Sequence, residues 1–246
     1  MKIGLFIPCF MNELYPDASM DTLKILESLG LDVEYPMDQT CCGQPMANTG
    51  CAHEADQLAH RFLKIFKNYD YIVAPSGSCV AMVRDNYAQF LEGEEGFEHL
   101  RSHTYELVEF LHDVIKPTSL KAKFPHKVSI HNSCHGHRKL NMASMSERNL
   151  PKFSKIKDIL SLVEGIEFVE ITRDDECCGF GGTFCVTEEA LSAAMGLDRV
   201  NDHLNSGSQI ITGIDMSCLM HMQGVIDREK FPIKTMYISQ ILAKGL

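Results

Sequence analysis

The chain alternates short apolar runs with longer stretches in which apolar residues recur at helical spacing. Runs rich in Ile, Val and Phe that end at turn residues are typical of buried strands. They occupy residues 3–8, 32–35 and 71–74 in the first half and residues 127–131, 167–171 and 209–213 in the second. Helical spacing covers residues 18–29, 53–67, 79–91, 151–163, 188–204 and 218–228. Each half closes on a shorter strand–helix pattern, at residues 104–115 and 235–242.

This alternation predicts an α/β fold in which helices cover the faces of mostly parallel sheets. Because the same order of elements occurs twice, we expect two tandem, duplicated Rossmann-like subdomains. The stretch 117–125 contains Lys and Pro and lacks clear periodicity, which places the boundary there. We therefore predict subdomains at 1–122 and 123–246.

The cysteines carry the clearest internal repeat. Of ten, eight form two matching sets, each a single cysteine, an adjacent pair followed by glycine, and a second single cysteine. The two sets are Cys9, Cys41, Cys42 and Cys79, and Cys134, Cys177, Cys178 and Cys218. Every position follows a predicted strand, and the carboxyl ends of parallel strands share one sheet edge, where ligands bind in such folds. Each half is therefore predicted to gather four thiols at that edge.

Charge and composition narrow the class of protein. The 246 residues include 23 Lys and Arg against 33 Asp and Glu, a net charge of −10. This balance argues against a nucleic-acid or anionic-membrane partner, since phosphate binding needs a surplus of positive charge. No apolar stretch is long enough to span a bilayer, and the first ten residues do not have the pattern of a signal peptide. We expect a cytoplasmic protein whose thiols stay reduced.

Three chemistries compete for four clustered thiols. Disulfides are disfavoured in a reducing compartment, and adjacent cysteines lie closer than disulfide geometry prefers. Zinc accepts four thiolates, but its ligands are usually spaced by two to four residues. An iron–sulfur cluster presents several irons, so adjacent cysteines can each bind a different one. Glycine after each pair lets the backbone pass close to the cluster and offers an amide to a sulfur. The pattern favours a cluster in at least one half and leaves zinc open for the other.

Several motifs also resemble a known family. They are CysCysGlyGlnPro at 41–45, ProSerGlySerCys at 75–79, SerCys at 133–134 and CysCysGlyPheGlyGlyThrPhe at 177–184. The chain resembles the cysteine-rich CCG-domain family, which includes the cysteine-rich subunit of heterodisulfide reductase and the cysteine-rich part of glycolate oxidase iron–sulfur subunits. The resemblance covers nearly the whole chain.

The resemblance implies a function, a cofactor and partners. It implies an iron–sulfur subunit of a complex that oxidises L-lactate to pyruvate and allows growth on lactate, and four thiolates in a set would complete a 4Fe–4S cluster. The implied partners are a larger ferredoxin-like iron–sulfur subunit and a third, small subunit. The family's ligand positions carry over to Cys9, Cys41, Cys42, Cys79, Cys134, Cys177, Cys178 and Cys218. A zinc-stabilised docking subunit and a thiol/disulfide oxidoreductase are the alternative functions.

The sequence departs from the family pattern in one respect. The heterodisulfide reductase member of the family carries CysXXCys as its last motif, whereas Ser76 and Asp215 occupy the first of those positions here. A five-cysteine, non-cubane site is therefore in doubt. Cys51 and Cys185 have no counterpart in the other half and are expected to be small buried residues. His135 is a candidate proton carrier beside Cys134, and the neighbouring His131 and His137 are expected on the surface.

Overall fold

The computed structural model describes residues 1–148 and 151–246. Eight strands are assigned: β1 Lys2–Leu5, β2 Asp32–Glu34, β3 Tyr71–Ala74, β4 Thr104–Glu106, β5 Lys127–His131, β6 Glu167–Phe168, β7 Ile210–Gly213 and β8 Lys234–Thr235. The α-helices of the first half are α1 Cys9–Leu14, α2 Pro16–Ser28, α3 Gln44–Asn48, α4 Ala52–Phe66, α5 Gly77–Ala81, α6 Ala88–Leu91, α7 Phe97–His103 and α8 Leu107–Phe110. Those of the second are α9 Cys134–Arg138, α10 Lys155–Leu160, α11 Phe184–Thr187, α12 Glu189–Asn205, α13 Met216–Glu229 and α14 Ile238–Leu242.

The strands form two four-stranded sheets with the same topology. Their orders are β2-β1-β3-β4 and β6-β5-β7-β8, and all strand pairs are parallel. In the first sheet Ile3 lies between Val33 and Tyr71, and in the second Val128 lies between Phe168 and Ile210. The prediction of an α/β fold with tandem Rossmann-like subdomains is confirmed.

Several predicted elements differ in detail, among them one helix and one strand. The helical stretch at 79–91 is divided into α5, a π-helical turn at Met82–Asn86 and α6. The predicted strand at 167–171 pairs over only two residues, Glu167 and Phe168, at the edge of the second sheet. None of the described helices is both long and apolar enough to cross a membrane.

The two halves interlock through their last helices. Helix α14 of the second half packs on α2 of the first, and α8 of the first half packs on α10 of the second. Ser239 in α14 is fully buried, and its hydroxyl donates to the Ala18 carbonyl in α2 over 2.7 Å. The amide of Lys123 donates to the carbonyl of Lys244, so the connecting segment lies against the second half. The division at residues 122 and 123 stays a prediction.

The contact between α14 and α2 gives a stability prediction. Ser239→Ala removes one buried hydrogen bond, so we expect the free energy of unfolding to fall by about 1 kcal/mol. Urea denaturation of the metal-free protein measures it. Ser102→Ala is the matched control, because that exposed hydroxyl bonds only within its own helix, to two carbonyls and to the His103 ring. Equal midpoints for the two variants would contradict a contribution from the α14–α2 contact.

Candidate metal centre

The two cysteine sets line one cavity between the halves, about 190 Å³ in volume. Each set stands at the carboxyl edge of its own sheet. In the first half Cys9 begins α1 soon after β1, and Cys79 lies in α5 after β3. In the second half Cys134 begins α9 after β5, and Cys218 lies in α13 after β7. The eight cysteines singled out by the sequence are therefore brought together at one place.

The thiols of the first set are in direct contact. The Sγ atoms of Cys9 and Cys41 lie 3.8 Å apart, and those of Cys42 and Cys79 lie 3.3 Å apart. These separations far exceed a disulfide bond of about 2.05 Å. All ten cysteines of the chain are free. The set is thus a group of reduced sulfur donors pointing at one another.

The glycine after each cysteine pair is required by its backbone. Gly43 and Gly179 have φ angles of +85° and +90°, a conformation that side chains rarely adopt. A Cβ atom on Gly179 would lie 2.7 Å from the Ser192 carbonyl oxygen. In this conformation each glycine amide donates to the first sulfur of the pair over 3.4 Å, to Cys41 or Cys177. The predicted contact between the glycine amide and a sulfur is therefore present in both halves, and the close passage of the backbone by a cluster stays a prediction.

The first set stabilises one negative charge. Hydrogen bonds from the thiols of Cys42 and Cys9, aided by the Gly43 amide, lower the pKa of Cys41 to about 3. The bond to Cys41 correspondingly raises the pKa of Cys42 and that of Cys9. One thiolate is therefore held by protonated neighbours, and further deprotonation places like charges in contact.

The second set has the same electrostatics. Hydrogen bonds from Cys134 and Cys178 lower the pKa of Cys177 to about 2, and the pKa values of both partners are raised. Four thiolates this close need a bound positive charge to coexist. The donor chemistry of both sets therefore fits a metal ion or an iron–sulfur cluster.

Comparison with known proteins places the chain in a family. The model of the cysteine-rich CCG domain matches it twice, at residues 3–84 and 128–223. The chain belongs to the CCG cysteine-rich domain family. It is 35% identical to lactate utilization protein A 1 of Bacillus mycoides, over 98% of this chain and 96% of that protein. It is 36% identical to lactate utilization protein A of an Exiguobacterium species, over 100% of this chain and 98% of that protein.

A solved structure shares the fold of this CCG-family chain. It is the crystal structure of a hypothetical protein from Helicobacter pylori, with a TM-score of 0.61 and 11% sequence identity. The match covers 98% of this chain and 48% of that one. At this identity the likeness concerns the fold alone.

Asp215, three residues before Cys218, joins the two halves. Its Oδ1 accepts from the Ser78 amide at 2.8 Å and the Ser76 hydroxyl at 3.3 Å. Its Oδ2 accepts from the Ser133 hydroxyl at 2.7 Å. Both carboxylate oxygens thus have partners, and the side chain is buried. Ser76 and Asp215 therefore hold the loops that carry Cys79, Cys134 and Cys218.

The two unmatched cysteines stand apart from the cavity. Cys51 is exposed at the start of α4, so its expected burial is wrong, because it lies in the turn that precedes the helix. Cys185 is half-buried, and its thiol donates to the Gly182 carbonyl at 3.0 Å. Neither is among the residues that line the cavity.

The histidines beside Cys134 have three different environments. His135 lines the cavity and hydrogen-bonds to Gln44 of the first half over 3.2 Å. His131 and His137 are buried, so the expectation that they lie on the surface is wrong. His131 ends an inner strand, and His137 turns inward from α9 to within 3.3 Å of Asp175. Burial, with the nearby Arg199 charge, lowers the pKa of His131 to about 3.

A chain of hydrogen-bonded polar side chains is buried in the second half and was not predicted from the sequence. Arg199 is fully buried and donates from Nε to His203 Nε2 at 3.1 Å. His203 Nδ1 then contacts the Ser129 hydroxyl at 2.7 Å. Arg199 also lies 3.3 Å from Asp202. The sequence does contain a signal for this chain: Arg199 and His203 lie four residues apart on the apolar face of α12. Packing alone does not explain two polar residues there.

Replacing Asp215 tests its role in joining the halves. Asp215→Ala removes three acceptor contacts from a buried site, so we expect the free energy of unfolding to fall by about 3 kcal/mol. Asp215→Asn retains one acceptor oxygen and should cost less. Urea denaturation of metal-free protein gives both values. A loss in Asp215→Ala no larger than in Asp215→Asn would count against the junction.

Two buried histidines predict a pH dependence of stability. Burial and the Arg199 charge hold the pKa values of His131 and His203 below the value of about 6.5 expected in the unfolded chain. Below that pH the unfolded chain binds protons that the native protein does not, so stability falls. Each histidine contributes up to about 1.4 kcal/mol per pH unit. Urea denaturation of the metal-free protein between pH 7 and pH 5 measures the slope.

Variants separate these histidines from others in the chain. His203→Gln should flatten the slope, whereas His53→Gln, at an exposed position, should leave it unchanged. Stability that is constant from pH 7 to pH 5 would show that the buried histidines do not control it.

Proposed function

We propose that this protein is a cytoplasmic iron–sulfur subunit that carries electrons in the oxidation of L-lactate to pyruvate and so allows growth on lactate. The observation that carries the proposal is the convergence of two four-cysteine sets on a single cavity. The names of the full-length relatives supply the link to lactate. The remaining subunits would be a ferredoxin-like iron–sulfur protein and a third, small protein.

The eight cysteines would hold the clusters. Cys9, Cys41, Cys42 and Cys79 would hold the first, and Cys134, Cys177, Cys178 and Cys218 the second. A bound cluster supplies one-electron transfer. The chain supplies the thiols and the amides of Gly43 and Gly179 that donate to sulfur. Donation to a cluster sulfur raises the reduction potential, so these glycines also tune it.

Adjacent cysteines favour a cluster over a lone zinc ion. In each pair the first thiol faces one single cysteine and the second thiol faces the other, as with Cys41 toward Cys9 and Cys42 toward Cys79. Each thiol of a pair contacts its neighbour and also a different single cysteine, so the four sulfurs of a set can each bind a separate iron. A zinc-stabilised docking subunit is the second candidate, since four thiols also meet the needs of tetrahedral zinc.

The shared cavity favours electron transfer between the sets over two isolated structural sites. Phe10 directly follows Cys9, Phe180 lies two residues after Cys178, and their rings meet edge to face at 6.0 Å. Gln44 and His135 meet on the same cavity wall. The two sets are therefore separated by side chains that are in contact with one another.

Metal and sulfide analysis of protein purified without oxygen tests the proposal. We expect iron and acid-labile sulfide in both halves and a visible absorption band that bleaches on reduction. Cys42→Ser and Cys178→Ser should each lose about half of the iron, since each empties one set. Cys51→Ser is the matched control, because this exposed cysteine lies outside the cavity, and it should retain full iron.

The outcome also separates the alternatives. Colourless protein that contains only zinc would overturn the iron–sulfur assignment and support the docking subunit. Metal-free protein that forms and breaks a disulfide reversibly would support a thiol/disulfide oxidoreductase. A gene deletion complemented by each variant, grown on lactate, tests the link to lactate: Cys42→Ser should fail and Cys51→Ser should restore growth.

A further inference from the structure

We propose that His131 is a nitrogen ligand of the metal centre held by the second cysteine set, and that the first set has no such ligand. The inference rests on the proposed function in that it requires a metal in the second set. It makes the two centres chemically different although their cysteines repeat.

The first observation is proximity. A ring nitrogen of His131 and the Sγ atoms of Cys178 and Cys218 all lie within 4.8 Å of one another. Ligands around one ion, at about 2.0–2.1 Å for nitrogen and 2.3 Å for sulfur, have mutual separations that fall within this distance. His131 also belongs to the wall of the shared cavity. The imidazole is therefore placed among the sulfurs of the second set.

The second observation is an unused ring nitrogen. His131 is 3% exposed, and its Nε2 has no hydrogen-bond partner among the described residues. A buried polar atom left without a partner costs free energy, so the site calls for a partner that protein atoms do not supply. His203 shows the contrast, because both of its ring nitrogens are hydrogen-bonded, to Ser129 and Arg199.

The third observation comes from the duplication. His131 precedes Cys134 by three residues, and Phe6 precedes Cys9 by the same interval. Phe6 is buried and packs edge to face on Phe62, with ring centroids 4.9 Å apart. The equivalent position is thus a packing residue in the first half and an imidazole in the second.

The helices beneath the two cysteine sets, α4 and α12, also differ in carrying aromatic residues in the first half and polar residues in the second. A Cβ on Gly43 would contact Ala55 and Leu58, and one on Gly179 would contact Ser192 and Met195. Ala55 and Ser192 are 137 residues apart, and so are Leu58 and Met195. Residues of α4 and α12 therefore correspond at an offset of 137.

With that correspondence, two buried aromatic residues of the first half align with two polar ones. Phe62 matches Arg199, and Phe66 matches His203. The second half has therefore replaced an aromatic cluster with a polar chain beneath its cysteines. Arg199 and His203 are hydrogen-bonded to each other. The His131 ring lies 6.2 Å from the His203 ring, and its Nε2 makes no hydrogen bond to either residue. The polar chain thus packs beside the His131 ring and leaves its Nε2 without a hydrogen-bond partner.

A nitrogen ligand has a predictable consequence for electron transfer. The four cysteines and His131 offer five donors, so an imidazole at one of the four ligand positions of a 4Fe–4S cluster displaces a thiolate, which removes negative charge from the cluster and raises its reduction potential. The second centre is then the more easily reduced of the two, and electrons entering at the first set would collect at the second. The mirrored substitution His131→Phe, which installs the residue of the first half, should lower the potential of the second centre or release its metal.

Pulsed EPR of reduced protein, purified without oxygen and labelled with ¹⁵N-histidine, tests the proposal directly. We expect a strong histidine-nitrogen coupling that changes with the label, disappears in His131→Phe and persists in His135→Phe. His135 is the matched control, since it lies beside Cys134 but already hydrogen-bonds to Gln44. The comparison of ¹⁵N-labelled with unlabelled wild-type protein needs no substitution, so it stays decisive if a variant fails to fold. Should the second set hold zinc, X-ray absorption at the zinc edge replaces EPR, with imidazole scattering expected and lost in the same variant.

Two results would overturn the inference. One is metal-loaded wild-type protein without strong histidine-nitrogen coupling or imidazole scattering, and the other is a histidine signal that survives His131→Phe. Metal analysis of the same samples keeps the two proposals distinct. Absence of iron contradicts the proposed iron–sulfur function, whereas iron without a signal dependent on His131 contradicts only the ligand assignment.

Discussion

Four thiols held at the edge of a parallel sheet cannot all carry negative charge without a positive charge among them. This constraint explains most of what is unusual in the molecule. The first set holds sulfur atoms 3.3 and 3.8 Å apart, and each set lowers the pKa of one cysteine while raising those of its partners. Gly43 and Gly179 adopt a left-handed backbone conformation open to glycine, in which their amides reach a sulfur. The surrounding fold maintains a cluster of donors that is electrostatically complete only with a bound metal.

Duplication supplies this arrangement twice, and the interlocked halves join the two copies in one cavity. Asp215 links the two copies. Its two carboxylate oxygens accept hydrogen bonds from Ser76, Ser78 and Ser133. The junction between halves and the edge of the metal centre are therefore built from the same residues. Disturbance of the interface is expected to reach both cysteine sets.

Much of this was predictable from the sequence, for a physical reason. Strands at 71–74 and 127–131 are short apolar runs bounded by turn residues, and the observed β3 and β5 match them. Once the strands are parallel, cysteines that follow them must meet at one edge. The meeting of both sets in one cavity was not predictable, because it depends on the exchange of α8 and α14 between the halves. The burial of His131 was not predicted either, because residues that follow it, such as His135 and Arg138, are polar. Only its position in the strand turns the His131 side chain inward.

The central claim is that the two cysteine sets form one redox unit across a shared cavity. The most direct measurement is EPR of the fully reduced protein, compared with Cys42→Ser, in which the first set is disabled. The account predicts a spectrum broadened or split by interaction between two paramagnetic centres, which simplifies to a single uncoupled signal in the variant. Two independent signals in the wild-type protein, or a spectrum unchanged by Cys42→Ser, would contradict it.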